Sequence, residues 1–132
     1  MIKKFRTGIL VRNNRVKLMQ DAGIKVHYSI LSDKEYLDEL KKKIVEEANE
    51  VADSDSLDDL KCEIADVLEV IDHIIDITHL NIDEIQQYKL DKQKKVGKFD
   101  KKIKTHYLKI DEDNESINYY LQRPKKYPLM ED

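Results

Sequence analysis

The stretch whose reading decides the fold is 46-EEANE-50, followed after a short break by 63-EIAD-66. Glu47 and Glu50 stand three residues apart, as do Glu63 and Asp66. On an α-helix that spacing stacks two side chains on one face. Apolar residues recur around both pairs at helical period: Ile44, Ala48 and Val51 in the first half, Ile64, Val67, Leu68 and Ile71 in the second. If two such helices lie antiparallel, four carboxylates face one another across the seam. Like charges held that close raise one another's pKa and oppose folding unless a cation sits between them. An oxygen-only ligand set suits a hard cation such as Mg²⁺. The competing reading is a solvated acidic surface, because the chain carries 27 Asp and Glu. Interleaving with apolar positions favours the metal reading.

Working outward, helix signals flank the motif on both sides. Ser32 with Glu35 forms the pattern of a capping box, and Tyr36, Leu37, Leu40, Ile44, Ala48 and Val51 follow at helical spacing, which predicts a helix over 33–53. Ser56 offers a second cap, and the apolar pattern from Leu60 to Ile75 predicts a helix over 57–79. Asn81 offers a third, opening a helix over 82–96 that Gly97 ends. Such short connections make consecutive helices antiparallel neighbours. A short helix is expected within 9–21, stopped by Gly23, and another in NESINYYLQ, beyond which Pro124 and Pro128 block continuation. Lys25–Leu31 (KVHYSIL), β-branched and weakly alternating, is expected to be extended, and so is KFDKKIKTHYLKI.

These signals predict a single all-α domain over 1–132, with a C-terminal tail from about 106. Its core would be an antiparallel helical hairpin plus a third helix, completed to a four-helix-bundle-like layer by oligomerisation. At 132 residues the chain is long enough for a real core, and 3 Gly and 2 Pro are few for a turn-rich β fold.

The net charge of −3 conceals an asymmetry. From Glu46 to Glu84, 14 acidic residues stand against Lys61 alone, whereas Lys89 to Lys104 holds 8 Lys against Asp91 and Asp100. An acidic centre followed by a basic segment can hold a metal and then a polyanion, or the two can simply neutralise each other. Cys62 is the single cysteine and pairs with nothing in the chain, the N-terminal MIKKFRTG has no apolar signal core, and no run reaches the ~18 apolar residues of a membrane span. A cytoplasmic protein is expected, with no membrane partner. The absence of a Gly-rich phosphate loop argues against a P-loop enzyme.

EEANE with EIADVLEVI resembles the ExxE…ExxD signature of the all-α nucleoside triphosphate pyrophosphohydrolases, the superfamily of MazG and phosphoribosyl-ATP pyrophosphohydrolase. The likeness covers about residues 9–105. LVRNNRVKLMQDAG is similar to an N-terminal segment of one branch, ILSDKEYLDELKKKIVEEANEV to its capped helix, and KLDKQKKVGKFDKKI to its Lys-rich stretch. Asn13-Asn14 replaces the Asp-Lys expected after Arg12, Arg15-Val16 replaces Ile-Pro, and Gly97 stands alone where the family has two glycines. These departures put substrate specificity, or activity itself, in question.

The resemblance implies Mg²⁺, or Mn²⁺, held by Glu47, Glu50, Glu63 and Asp66, with Glu46, Glu47 and Glu50 in catalytic roles and Glu46 orienting water. It implies cleavage of an NTP or dNTP to the monophosphate and pyrophosphate. Lys92, with Lys89 and Lys95, is the candidate phosphate-binding set, although solvated surface is the alternative for each and the favoured one for Lys89 and Lys95. The expected partners are the nucleotide and further copies of the chain, as a homodimer or homotetramer, rather than nucleic acid. The alternative class is a non-catalytic helical dimerisation module that binds nucleotide or nucleic acid through the Lys-rich segment. His73 and Glu69 are read as packing or ion-pairing residues. Tyr119, Tyr120 and Tyr127 are read as the aromatic anchor of the tail, with base stacking the alternative.

Overall fold

The computed structural model describes residues 1–131. Among them there are five helices and no strand: α1 (Arg15–Asp21), α2 (Asp33–Asp53), α3 (Leu57–Thr78), α4 (Ile82–Val96) and α5 (Ile117–Leu121). The chain divides into two compact units, Met1–Asp91 and Lys92–Asp132.

The three long helices begin where side chains meet the orphan amides of a first turn. Ser32 accepts from the Glu35 amide, and Glu35 reaches back to the Ser32 amide, so the capping box is formed. Ser56 accepts from the Asp59 amide at 3.1 Å, and Asn81 Oδ1 from the Asp83 amide at 2.8 Å. Asp58 and Asp59 add negative charge to the first turn of α3, as the helix dipole favours. α3 ends at Thr78, one residue earlier than its apolar pattern indicates, because His79 turns into the left-handed region at φ 57°. α4 ends at Gly97, where φ is 85° and its amide bonds to the Gln93 carbonyl.

The expected N-terminal helix is shorter than its apolar pattern. It begins only at Arg15, because the Asn13-Asn14 pair forms a turn rather than a first helical turn. It closes with paired bonds from Gly23 to Gln20 and from Ile24 to Met19, Gly23 supplying a φ of 82°. The two stretches expected to be extended, 25–31 and 98–110, lie outside the helices and form no strand. Alternation without a neighbouring strand leaves the backbone ladder unmade, so period alone does not produce a sheet.

In the first unit α2 and α3, joined by residues 54–56, pack against each other. Their buried stripe is narrow: Leu40 at 2% exposure, Glu47 and Val70. Leu40 and Glu47 are two turns apart on one face of α2, and Glu63 and Val70 two turns apart on one face of α3. Carboxylates therefore continue the line of the core. Ile64 and Leu68, expected within the buried face, are 45% and 55% exposed. They border an apolar groove with Ala48, Val51 and Val67.

In the second unit the tail closes on its own tyrosines. The Tyr120 and Tyr127 rings meet edge to face at 4.8 Å between centroids, and Tyr119 stands 5.1 Å from Tyr120. Arg123 lies 3.9 Å over the Tyr119 ring and donates to the Tyr119 carbonyl.

Leu40 is the best-buried side chain of the helix pair, so Leu40→Ala is expected to cost about 2–5 kcal/mol in urea unfolding. Val45→Ala, at a residue 59% exposed on the same helix, is expected to cost far less, within about 0.5 kcal/mol beyond its propensity change. Equal losses would mean that the stripe is not the core.

Candidate metal centre

Each member of the acidic motif is positioned by the helix pair. Glu47 and Glu50 project from the second half of α2, Glu63 and Asp66 from the first half of α3. One carboxylate oxygen from each of the four lies within 4.8 Å of the other three. Glu47 is buried, Glu63 and Asp66 half-buried, and Glu50 exposed. The spacing read from the sequence thus becomes one four-carboxylate cluster.

The charges are poorly compensated. Each fully ionised pair at that distance repels by roughly 3 kcal/mol at an effective dielectric of ~20, before protonation or counter-ions relieve it. Glu50 lies in the last turn of α2, which holds no basic residue and whose dipole end already disfavours an anion. Glu47 Oε2 and Glu63 Oε2 are buried with no hydrogen-bond partner among the described residues. Buried polar atoms are almost always satisfied, so these two carboxylate oxygens call for a partner that the helix pair itself does not supply. Burial, first of all, pushes the Glu47 carboxyl above its ordinary value of 4.5, and the carboxylates of Glu50 and Asp66 push it further, against an opposing pull from Lys43.

Two cations border the cluster. Lys43, one turn before Glu47 on α2, places its amine 3.1 Å from Glu46 and 3.6 Å from Glu47, and is itself largely buried. Sequence reasoning passed over it, although its i, i+3 and i, i+4 spacing to two glutamates is a signal that could have found it. Arg12 arrives from the segment before α1, donates from Nη2 to Asp66 Oδ1 at 2.8 Å and approaches Glu69 at 3.6 Å. No spacing rule connects residues 54 positions apart, and sequence reasoning missed it.

The remaining candidates fall elsewhere. Glu46 stands beside the cluster rather than in it, held by Lys43. Lys89, Lys92 and Lys95 are exposed on α4, Lys89 in the first unit and the other two in the second. His73 Nε2 pairs with Glu69 at 2.9 Å. Cys62 is free and exposed.

The donor set could hold a hard divalent cation: four carboxylates, two orphaned oxygens, and separations of no more than 4.8 Å, on the scale of the ~4.2 Å between opposite corners of a Mg²⁺ octahedron. Among the described residues no helix is long and apolar enough to cross a membrane. No family model, curated protein or solved structure matches the chain.

A raised carboxyl pKa has a definite sign in stability. Folded Glu47 holds a proton at pH values where the unfolded chain has released it, so stability falls as pH rises from about 4.5 through the folded pKa. Glu47→Gln mimics the protonated form and is expected to melt above the parent at neutral pH in chelator. The advantage should shrink on acidification and vanish below pH 4.5. A variant that melts lower at neutral pH would instead show that the Lys43 ion pair outweighs burial and like-charge repulsion.

Proposed function

We propose that the chain is a divalent-cation-dependent hydrolase that cleaves a nucleoside triphosphate between its α- and β-phosphorus atoms. The observation that carries this reading is the convergence of Glu47, Glu50, Glu63 and Asp66, with buried, unpartnered oxygens on Glu47 and Glu63. The resemblance of EEANE and EIADVLEVI to the all-α pyrophosphohydrolases supplies the reaction class.

In this reading the four carboxylates hold Mg²⁺, or Mn²⁺. When bound, the ion neutralises phosphate charge and activates a water. Glu46, kept at the cluster edge by its 3.1 Å contact with Lys43, orients that water and accepts its proton, with Glu47 and Glu50 supporting the site. The water oxygen attacks the α-phosphorus as the α–β bridging bond breaks, and the β- and γ-phosphates leave together as pyrophosphate. No Ser, Cys or His nucleophile is required.

A second copy of the chain, in a homodimer or dimer of dimers, covers the apolar side of an α2–α3 hairpin. Exposed Ile64 and Leu68, beside a buried core of so few residues, support that assembly. The cytoplasm supplies both nucleotide and Mg²⁺.

A panel of NTPs and dNTPs with Mg²⁺ is expected to yield pyrophosphate, and chelator to stop the release. Asp66→Asn and Glu50→Gln should each lower kcat/KM by at least about 100-fold, beyond the usual cost of losing a supporting contact. Without metal, both variants should remain within about 0.5 kcal/mol of the parent or exceed it, since each removes a mutually repelling charge. Mg²⁺ should raise the parent's Tm and leave theirs nearly unmoved. Orthophosphate as the first product, or chelator-resistant turnover, would overturn the mechanism. Salt-sensitive binding to nucleic acid without hydrolysis would favour a binding module.

A further inference from the structure

Arg12 is a functional group of the wrong sign for a metal ligand set, and the site must accommodate it. Its guanidinium donates to Asp66 Oδ1 at 2.8 Å, and Nη1 lies 3.6 Å from Glu69 Oε1. Asp66 and Glu69 are one turn apart on α3, so the guanidinium lies along that edge of the four-carboxylate cluster. On the opposite helix the nearest cation, Lys43, is already engaged with Glu46 and Glu47.

Little in the fold depends on this contact. The Arg12 side chain is 62% exposed, and exposed ion pairs contribute little to stability. Arg12 also comes from the irregular segment that precedes α1, so it can swing without disturbing a helix. Its Asp66 contact uses one of five N–H donors. A guanidinium presents those donors in a planar fork that matches phosphate oxygens, which a surface lysine does not.

We propose that Arg12 is a displaceable counter-ion of the cluster: it neutralises Asp66 while no divalent cation is bound, and binds the polyphosphate of the substrate once the cation takes Asp66. This rests on the metal reading above. The exchange couples the two ligands. A cation must displace Arg12 from Asp66, and the freed guanidinium then favours an anion at the same edge.

Calorimetric titration of the full chain with Mn²⁺ alone, then of the Mn²⁺-loaded protein with inorganic tripolyphosphate, tests the inference without turnover. Removing a competing charge beside the ligand, Arg12→Gln should tighten Mn²⁺ binding about fivefold. Loss of a charge-assisted, bidentate contact should weaken tripolyphosphate binding about tenfold or more. Arg12→Lys keeps the charge but loses the fork, so it should restore the parent Mn²⁺ affinity while recovering only part of the tripolyphosphate affinity. A parent that binds no Mn²⁺ would overturn the metal reading and this inference with it. If the parent binds Mn²⁺, three results overturn the Arg12 role alone. Unchanged affinities in Arg12→Gln would make it a surface ion pair. Weaker Mn²⁺ binding would make it an orienting residue for Asp66. Tighter Mn²⁺ with unchanged tripolyphosphate would remove its part in anion binding. Melting curves of the metal-free proteins should coincide, confirming that the variants fold.

Discussion

A carboxylate buried among carboxylates is the constraint on which the rest of the structure depends. Glu47 is as buried as Val70, and it lies on the same stripe of α2 as the still more buried Leu40. α2 and α3 come together through that stripe, so the repulsion among Glu47, Glu50, Glu63 and Asp66 is built into the main packing contact of the first unit. A hydrophobic residue at position 47 would pack there without electrostatic cost. A glutamate with an unpartnered buried oxygen there opposes stability.

Surrounding features moderate that cost. Lys43 draws charge from Glu46 and Glu47, while Arg12 draws it from Asp66 and Glu69, so each helix of the pair has one cation at the cluster edge. The capping box at Ser32 and the cap at Ser56 secure the far end of α2 and the near end of α3 independently of the cluster. Tyr36 shows the same acidic field further along: burial, then Asp76 and Glu69, push its hydroxyl upward from its ordinary value.

With carboxylates occupying part of the buried stripe, the apolar interior is small, and apolar side chains that would complete a core lie at the surface instead. Ile64 and Leu68 border a groove with Ala48, Val51 and Val67. The second unit is organised differently, through three tyrosines that pack on one another and an arginine stacked on one of them. Aromatic rings bury large area with few torsions to fix, which suits a short tail holding one five-residue helix.

Local chemistry alone determined much of the chain. Ser32, Ser56 and Asn81 mark helix starts because a side-chain oxygen three residues or fewer from an orphan amide satisfies it without reference to the rest of the fold. The ExxE and ExxD spacings placed Glu47 with Glu50 and Glu63 with Asp66 because helical period is a property of the backbone. Where reading depended on a distant partner it failed: Ile64 and Leu68 proved exposed, and Val70 was buried without having been singled out. Tertiary structure decided that the two acidic pairs meet, which helix faces turn inward, and that Arg12 reaches Asp66 across 54 residues. Those outcomes depend on packing between segments, and period, capping and turn chemistry act only over the few residues that share a turn.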